Sequence, residues 1–171
     1  MTDKKRGDNL ILIGLPTSGK STVGVILAKA LGYEFTDIDL LIQKKEGKKL
    51  SKIMEEKGVD GFLALEEEVT CSLSCSRTVI APGGSVIYGE KAMEHLRSLG
   101  KVIYLQMDFD MLTERLHDAR NRGVALREGQ TLESLYEERV PLYEKYADFV
   151  VNERGHALED MVVLIVSRLH D

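Results

Sequence analysis

Gly14-Leu15-Pro16-Thr17-Ser18-Gly19-Lys20-Ser21 is the stretch whose residue types could do chemistry, and Thr22 follows it directly. Two glycines with four residues between them let the backbone fold into a tight concavity, and such a concavity turns successive N–H groups toward one anion. Lys20 adds a positive charge suited to the β- and γ-phosphates, and the Ser21 hydroxyl is a hard ligand for Mg²⁺. A helix that starts here adds the positive end of its dipole. The chemistry expected is the binding of a nucleoside triphosphate with its Mg²⁺.

Two acids come next. Asp37 and Asp39 are separated by one residue, in a segment that follows the Lys-Ser pair by about sixteen positions. One carboxylate can hold Mg²⁺ or its waters, while the other accepts or orients the proton of an attacking hydroxyl. The bland alternative is a helix N-cap beside a solvated acid. Pro82-Gly83-Gly84 could be a plain turn, or could present backbone N–H groups to a substrate anion or hydroxyl. Arg115, Arg120, Arg122 and Arg127 fall in or beside a polar stretch, residues 120–130, that reads as a mobile loop. A loop carrying arginine can close on a γ-phosphate and exclude water; the alternative is a solvated charged loop. Arg139 suits bidentate recognition of a carboxylate, or pairs with a neighbouring glutamate.

The elements that must position these residues are legible from periodicity. Asn9-Leu-Ile-Leu-Ile13 is a continuous apolar run, as expected of a buried parallel strand. Val23, Ile26, Leu27, Ala30 and Leu31 recur at helical spacing and stop at Gly32. Further strands are expected at residues 33–36, 78–81, 102–105 and 149–151. Helices are expected over 40–58, broken at Gly47 and Gly58, then through Phe62–Leu73, 92–99, 112–119, about 131–145 and 158–169. Strands alternating with helices give β-α-β units and a parallel sheet covered on both faces. Ligands of such sheets sit beyond the carboxyl ends of the strands. The phosphate loop, Asp37-Ile38-Asp39 and Pro82-Gly83-Gly84 all fall at such ends, so they are expected to face one cleft.

Composition narrows the classes. The chain has 171 residues, enough for one domain with a real core, and 43% of them are hydrophobic and 30% charged. A net charge of -5 disfavours nucleic acid as the main partner. No apolar run approaches the ~20 residues of a membrane span, and the first residues lack an apolar signal core. Cys71 and Cys75 are expected to be reduced packing residues on one helix face, in a cytoplasmic protein.

In this order the landmarks resemble those of the shikimate kinase family, over about residues 9–169. They are Gly14–Thr22, Asp37-Ile38-Asp39, Gly58–Glu66, Gly83-Gly84-Ser85-Val86, Arg122, and Arg139-Val-Pro-Leu-Tyr-Glu144 followed by Ala147-Asp148. The resemblance implies an α/β three-layer P-loop NTPase fold with a five-stranded parallel sheet and helices on both faces. It implies one domain, with an acceptor-binding region near 38–75 and a lid near 118–131. The activity implied is transfer of the γ-phosphoryl of MgATP to the 3-hydroxyl of shikimate, in the shikimate pathway of aromatic amino acid biosynthesis. Carried over by position, Gly14, Pro16, Thr17, Ser18, Gly19, Lys20, Ser21, Thr22 and Arg115 would hold ATP. Ser21 and Asp37 would serve the metal. Asp39, Gly83, Gly84 and Arg139 would hold the acceptor. Lys20, Asp39 and Arg122 would act in catalysis. A monomer is expected, with ATP and a small acceptor as its partners and no nucleic acid or membrane.

The chain also departs from the family pattern. Leu63 stands where the family's Phe-Arg-x-x-Glu has arginine, Pro82 where it has the first of three glycines, and Gly123-Val124-Ala125 where its lid has Pro-Leu-Leu. Two other readings therefore stay open: a relative that phosphorylates another small hydroxylated metabolite, and a non-catalytic nucleotide-binding protein.

Overall fold

The computed structural model describes residues 5–118 and 124–171. Its centre is β1 (Asn9–Ile13), all five residues of which are buried. The other strands are β2 (Glu34–Asp37), β3 (Thr78–Ala81), β4 (Gly100–Gln106) and β5 (Phe149–Asn152). They form one five-stranded sheet in the order β2-β3-β1-β4-β5. Every pairing is parallel.

Alternation along the strands divides the apolar residues between two layers. Ile11, Ile13, Val102 and Tyr104 face one core, and Leu10, Leu12, Ile103 and Leu105 the other. The second core is closed by α1 (Lys20–Leu31) and α7 (Leu158–Leu169), through Val23, Leu27, Met161 and Ile165. The first is closed by α2 (Ile38–Glu46), α3 (Leu50–Cys71), α4 (Glu90–Leu99), α5 (Phe109–Asp118) and α6 (Leu132–Tyr146). This is the doubly covered parallel sheet that the alternation of elements implies.

Polar residues fix the register at the amino ends of the strands. The Asn9 side chain donates to the Cys75 and Leu99 carbonyls at 2.8 and 2.9 Å and accepts from the Thr78 amide at 3.0 Å. Both neighbours of β1 are thereby tied to it where they enter the sheet. Arg6 forks onto both oxygens of Asp148 at 2.7 Å, which fastens the leading segment beside β4.

Two expected boundaries shift. α2 begins at Ile38, earlier than its apolar spacing suggests, because the Asp37 carboxylate accepts from the Leu40 amide and caps it. α3 ends at Cys71, so Cys75 lies beyond it and the two cysteines do not share a helix face. Cys71 is exposed and not a packing residue; Cys75 packs against the core.

Candidate active site

The phosphate loop joins β1 to α1, and its backbone is shaped by close contacts. A Cβ on Gly14 would lie 2.8 Å from the Leu105 carbonyl oxygen, so only glycine lets the chain pass β4 here. Gly19 takes φ 81° at the start of α1 and offers no side-chain cap. The first N–H groups of α1 are therefore left for a ligand, at the positive end of the helix. Thr17 also has positive φ, 68°, a strained conformation for a β-branched residue of the kind that collects at functional sites.

Lys20 is buried. Its ammonium donates to the Gly14 and Leu15 carbonyls at 2.9 and 2.8 Å and to Ser18 Oγ at 3.3 Å. Burial pushes its pKa down to about 8, opposed chiefly by the negative charge of Asp39. A polyphosphate brought to this amine favours its charged form.

The two aspartates take different places. The Ser21 hydroxyl donates to Asp37 Oδ2 at 2.7 Å, so α1 and the start of α2 meet at a pair of hard oxygens. Asp37 is thus the helix cap and a partner of the phosphate loop at once. Asp39, in the first turn of α2, turns toward the β3 end. A Cβ on Gly83 would lie 2.7 Å from both Asp39 Oδ1 and Glu66 Oε2, so two carboxylates close on a backbone that only glycine can supply.

Glu66 is buried in α3. It accepts a hydrogen bond from Ser85 Oγ at 2.8 Å, and its other oxygen has no partner among the described residues. Burial raises its pKa to about 8, against the pull of Ser85, so it is largely protonated at neutral pH. Residue types alone do not single it out. Its spacing does, since Phe62, Leu65, Glu66 and Val69 recur at i, i+3, i+4 and i+7 on the buried side of α3.

At the other end of the phosphate loop, Arg115 donates to the Thr17 carbonyl at 2.9 Å and pairs with Glu153 at 3.3 Å. Burial lifts the Glu153 carboxyl to about 7 despite Arg115 and Lys20 nearby. Glu153 follows β5 in a stretch with no sequence pattern, and nothing in the residues pointed to it.

Arg139 is 1% exposed. It donates to the Ala125 carbonyl at 3.0 Å, lies over the Tyr88 ring, and sits behind Gly84, whose Cβ would come 3.2 Å from Nη1. Arg120 and Arg122 lie outside the described residues.

A cleft of about 830 Å³ joins these parts. Pro16, Thr17, Gly19, Lys20, Ser21, Thr22 and Arg115 line one side, and Asp37, Asp39, Leu40, Gln43, Lys49, Leu50, Ser51, Pro82 and Gly84 the other. Of the residues expected to act, Gly14, Ser18, Gly83 and Arg139 stand behind this surface. The three strand-end features do face one cleft. Ser21 and Asp37 fit Mg²⁺, which takes hard oxygens and shares its shell with substrate phosphates. Among the described residues no group of three or more His, Cys, Asp or Glu could hold a metal by itself.

The family model for shikimate kinase matches residues 16–170. A shikimate kinase of Methylococcus capsulatus is 39% identical over 162 residues, which are 93% of this chain and 90% of that protein. One from Thiobacillus denitrificans is 38% identical over 95% of this chain and 90% of its own length. Among solved structures, Acinetobacter baumannii shikimate kinase in complex with shikimate superposes with a TM-score of 0.87 at 32% identity, covering 95% of this chain and 93% of that one. The Aquifex aeolicus enzyme gives 0.82 at 35%, covering 95% and 96%. On these matches the chain belongs to the shikimate kinase family.

Proposed function

We propose that this protein is a phosphotransferase that moves the γ-phosphoryl group of MgATP to the 3-hydroxyl of shikimate. The observation that carries the reading is the single cleft that brings Lys20 and the Ser21–Asp37 pair to face Asp39. Phosphoryl transfer needs little covalent chemistry from the protein, so positioning and charge supply most of the rate. Lys20 and the amides at the start of α1 hold the phosphates. Mg²⁺, held by Ser21 and by Asp37 through water, neutralises phosphate charge when bound. Asp39 accepts or orients the proton of the attacking hydroxyl, with Gly83 and Gly84 holding the acceptor beside it. Arg115 stacks on the adenine. Arg122 would bring positive charge to the transferring group, and Arg139 serves the acceptor carboxylate from behind Gly84.

On the same reading the protein is one domain acting as a monomer in the cytoplasm, where ATP is supplied. Among the described residues no helix is long and apolar enough to cross a membrane. ADP release in the presence and absence of shikimate tests the reading. Shikimate-dependent turnover is expected, and ADP release that ignores shikimate would overturn it. One observation favours a second reading. Leu63 is half-buried against the core and brings no charge to the acceptor side, which suits an acceptor that is neutral or differently shaped. Turnover of such an acceptor and not of shikimate decides for it.

A further inference from the structure

Glu153 is an acid in a place that stability does not explain. It follows β5 directly and is 2% exposed. A Cβ on Gly19 would meet Leu158 at 3.1 Å and Glu153 Oε1 at 3.8 Å, so the carboxyl lies beneath the start of α1, beside the first residue of α7. Oε1 has no hydrogen-bond partner among the described residues. Oε2 has one, Arg115 Nη1, at 3.3 Å. Burying a carboxylate is unfavourable unless it is paired and its oxygens are hydrogen-bonded, and a single long contact leaves most of that penalty in place. Arg154, next in the chain, turns away to Asp108 and Asp110.

Its one partner supplies a reason. Arg115 reaches over from α5, and its side-chain hydrogen bonds among the described residues all leave from one nitrogen. Nη1 donates to the Thr17 carbonyl at 2.9 Å, to Met107 Sδ at 3.4 Å and to Glu153. The side chain is only part-buried and lines the cleft beside Thr17 and Gly19. The guanidinium is thus fastened at one corner from behind, and the rest of it is left to the cleft. Two of the three anchors are uncharged, so the carboxylate is the strongest of them. Without it, a long arginine side chain would lose rotamer freedom each time it met a ligand. Thr17, which shares the same nitrogen, is the phosphate-loop residue at φ 68°, so one contact point joins Arg115 to the loop.

We propose that Glu153 is a positioning residue of the nucleotide site: from beneath the phosphate loop its carboxylate holds the Arg115 guanidinium against Thr17, ready to stack on the purine base. A planar guanidinium stacks well on an aromatic face when its orientation is already set. This rests on the reading of Arg115 as the residue that meets the adenine, and deepens it.

Calorimetry on the full chain tests it, at pH 8, where a carboxyl of pKa about 7 is ionised. The ligands are MgADP and inorganic tripolyphosphate with Mg²⁺. The proteins are the unsubstituted one, Glu153→Met, Glu153→Gln, Arg115→Ala, and Arg115→Ala combined with Glu153→Met. Glu153 also acts on Lys20, so loss of its negative charge alone would tighten the hold on phosphate. Weaker binding therefore reports the lost hold on Arg115. Glu153→Met fills similar space without an acceptor and should weaken MgADP roughly tenfold, the scale of one charge-assisted hydrogen bond. Its affinity for tripolyphosphate, which has no base, should hold or rise. Glu153→Gln keeps an oxygen for Nη1 and should recover part of the loss. In Arg115→Ala, the further change Glu153→Met should cost little MgADP affinity, because the two residues act as one. A merely structural role would weaken both ligands together. Full MgADP affinity in Glu153→Met, an equal loss for both ligands, or additive losses in the double variant overturns the assignment of Glu153 alone. Full MgADP affinity in Arg115→Ala overturns the reading of Arg115, and the assignment with it.

Discussion

Lys20 and Glu66 are shifted from their ordinary pKa values by one cause, burial, which disfavours the charged form of each. The consequences for stability can be separated by pH. Glu66 is raised from 4.5 to about 8, so between these values the folded state keeps a proton that the unfolded state has lost. Its contribution is fully present below about pH 4.5 and is lost as pH rises toward 8. Glu153, raised to about 7, acts in the same direction. Glu66→Gln keeps an oxygen for Ser85 and cannot ionise, so its stability should decline less. Melting curves from pH 5 to 8 should show the unsubstituted protein losing about 5 °C or more relative to Glu66→Gln. Parallel curves would mean that Glu66 ionises freely in the folded protein. Asp39 is tested differently. Asp39→Asn keeps the shape and removes the charge, so calorimetric ATP affinity should survive while transfer to the acceptor collapses. Loss of ATP affinity with intact transfer would exchange the roles of Asp37 and Asp39.

At the scale of elements, α3 shows how one residue divides labour. Gly58 sits inside it at φ 70°, ψ 177°, a region that is essentially restricted to glycine. Before the kink, Leu50 and Ser51 reach the cleft while Ile53 is buried; after it, Phe62, Leu65, Glu66 and Val69 enter the core. A Cβ at 58 would meet no atom within 4 Å, so the cost of Gly58→Ala is backbone strain alone. The expected loss is about 1–3 kcal/mol, read as a lower midpoint in urea with unchanged slope. Gly58 was legible as an interruption because glycine breaks the helical spacing, and β1, β3, β4 and β5 were legible because their apolar runs are short and bounded. Other features were not. The helical turn Val86–Tyr88 is three residues long and carries no period. The early start of α2 depends on one capping bond from Asp37. Arg139 reads as a surface residue from its type, and its burial comes from Tyr88, Gly84 and Ala125, which are distant in sequence. The phosphate loop and the aspartates were readable because their chemistry is local. The opposite wall of the cleft was harder because it is assembled from α2, α3 and the segment after β3.

For the molecule as a whole, that assembly predicts linkage between ligand and fold. The cleft is bounded by the phosphate loop, α1, α2, α3 and the β3 end, so a ligand filling it braces both helical layers. ADP with Mg²⁺ at a hundredfold excess over Kd should add ~2.7 kcal/mol, or about 5–10 °C in melting temperature. Lys20→Ala should lose most of that shift, and an undiminished shift would place the nucleotide elsewhere. The strand order has a separate consequence for how the chain is made. The strand translated first, β1, is the middle of the sheet, and β2 pairs with β3 but not with β1. As the chain leaves the ribosome, Asn9–Ile13 therefore waits with both edges bare until Thr78–Ala81 has emerged, and its second edge waits for Gly100–Gln106. A translation product ending before Thr78 carries an apolar strand with no partner, the kind of edge that recruits other chains. One extending past Gln106 has the three central strands that can protect each other.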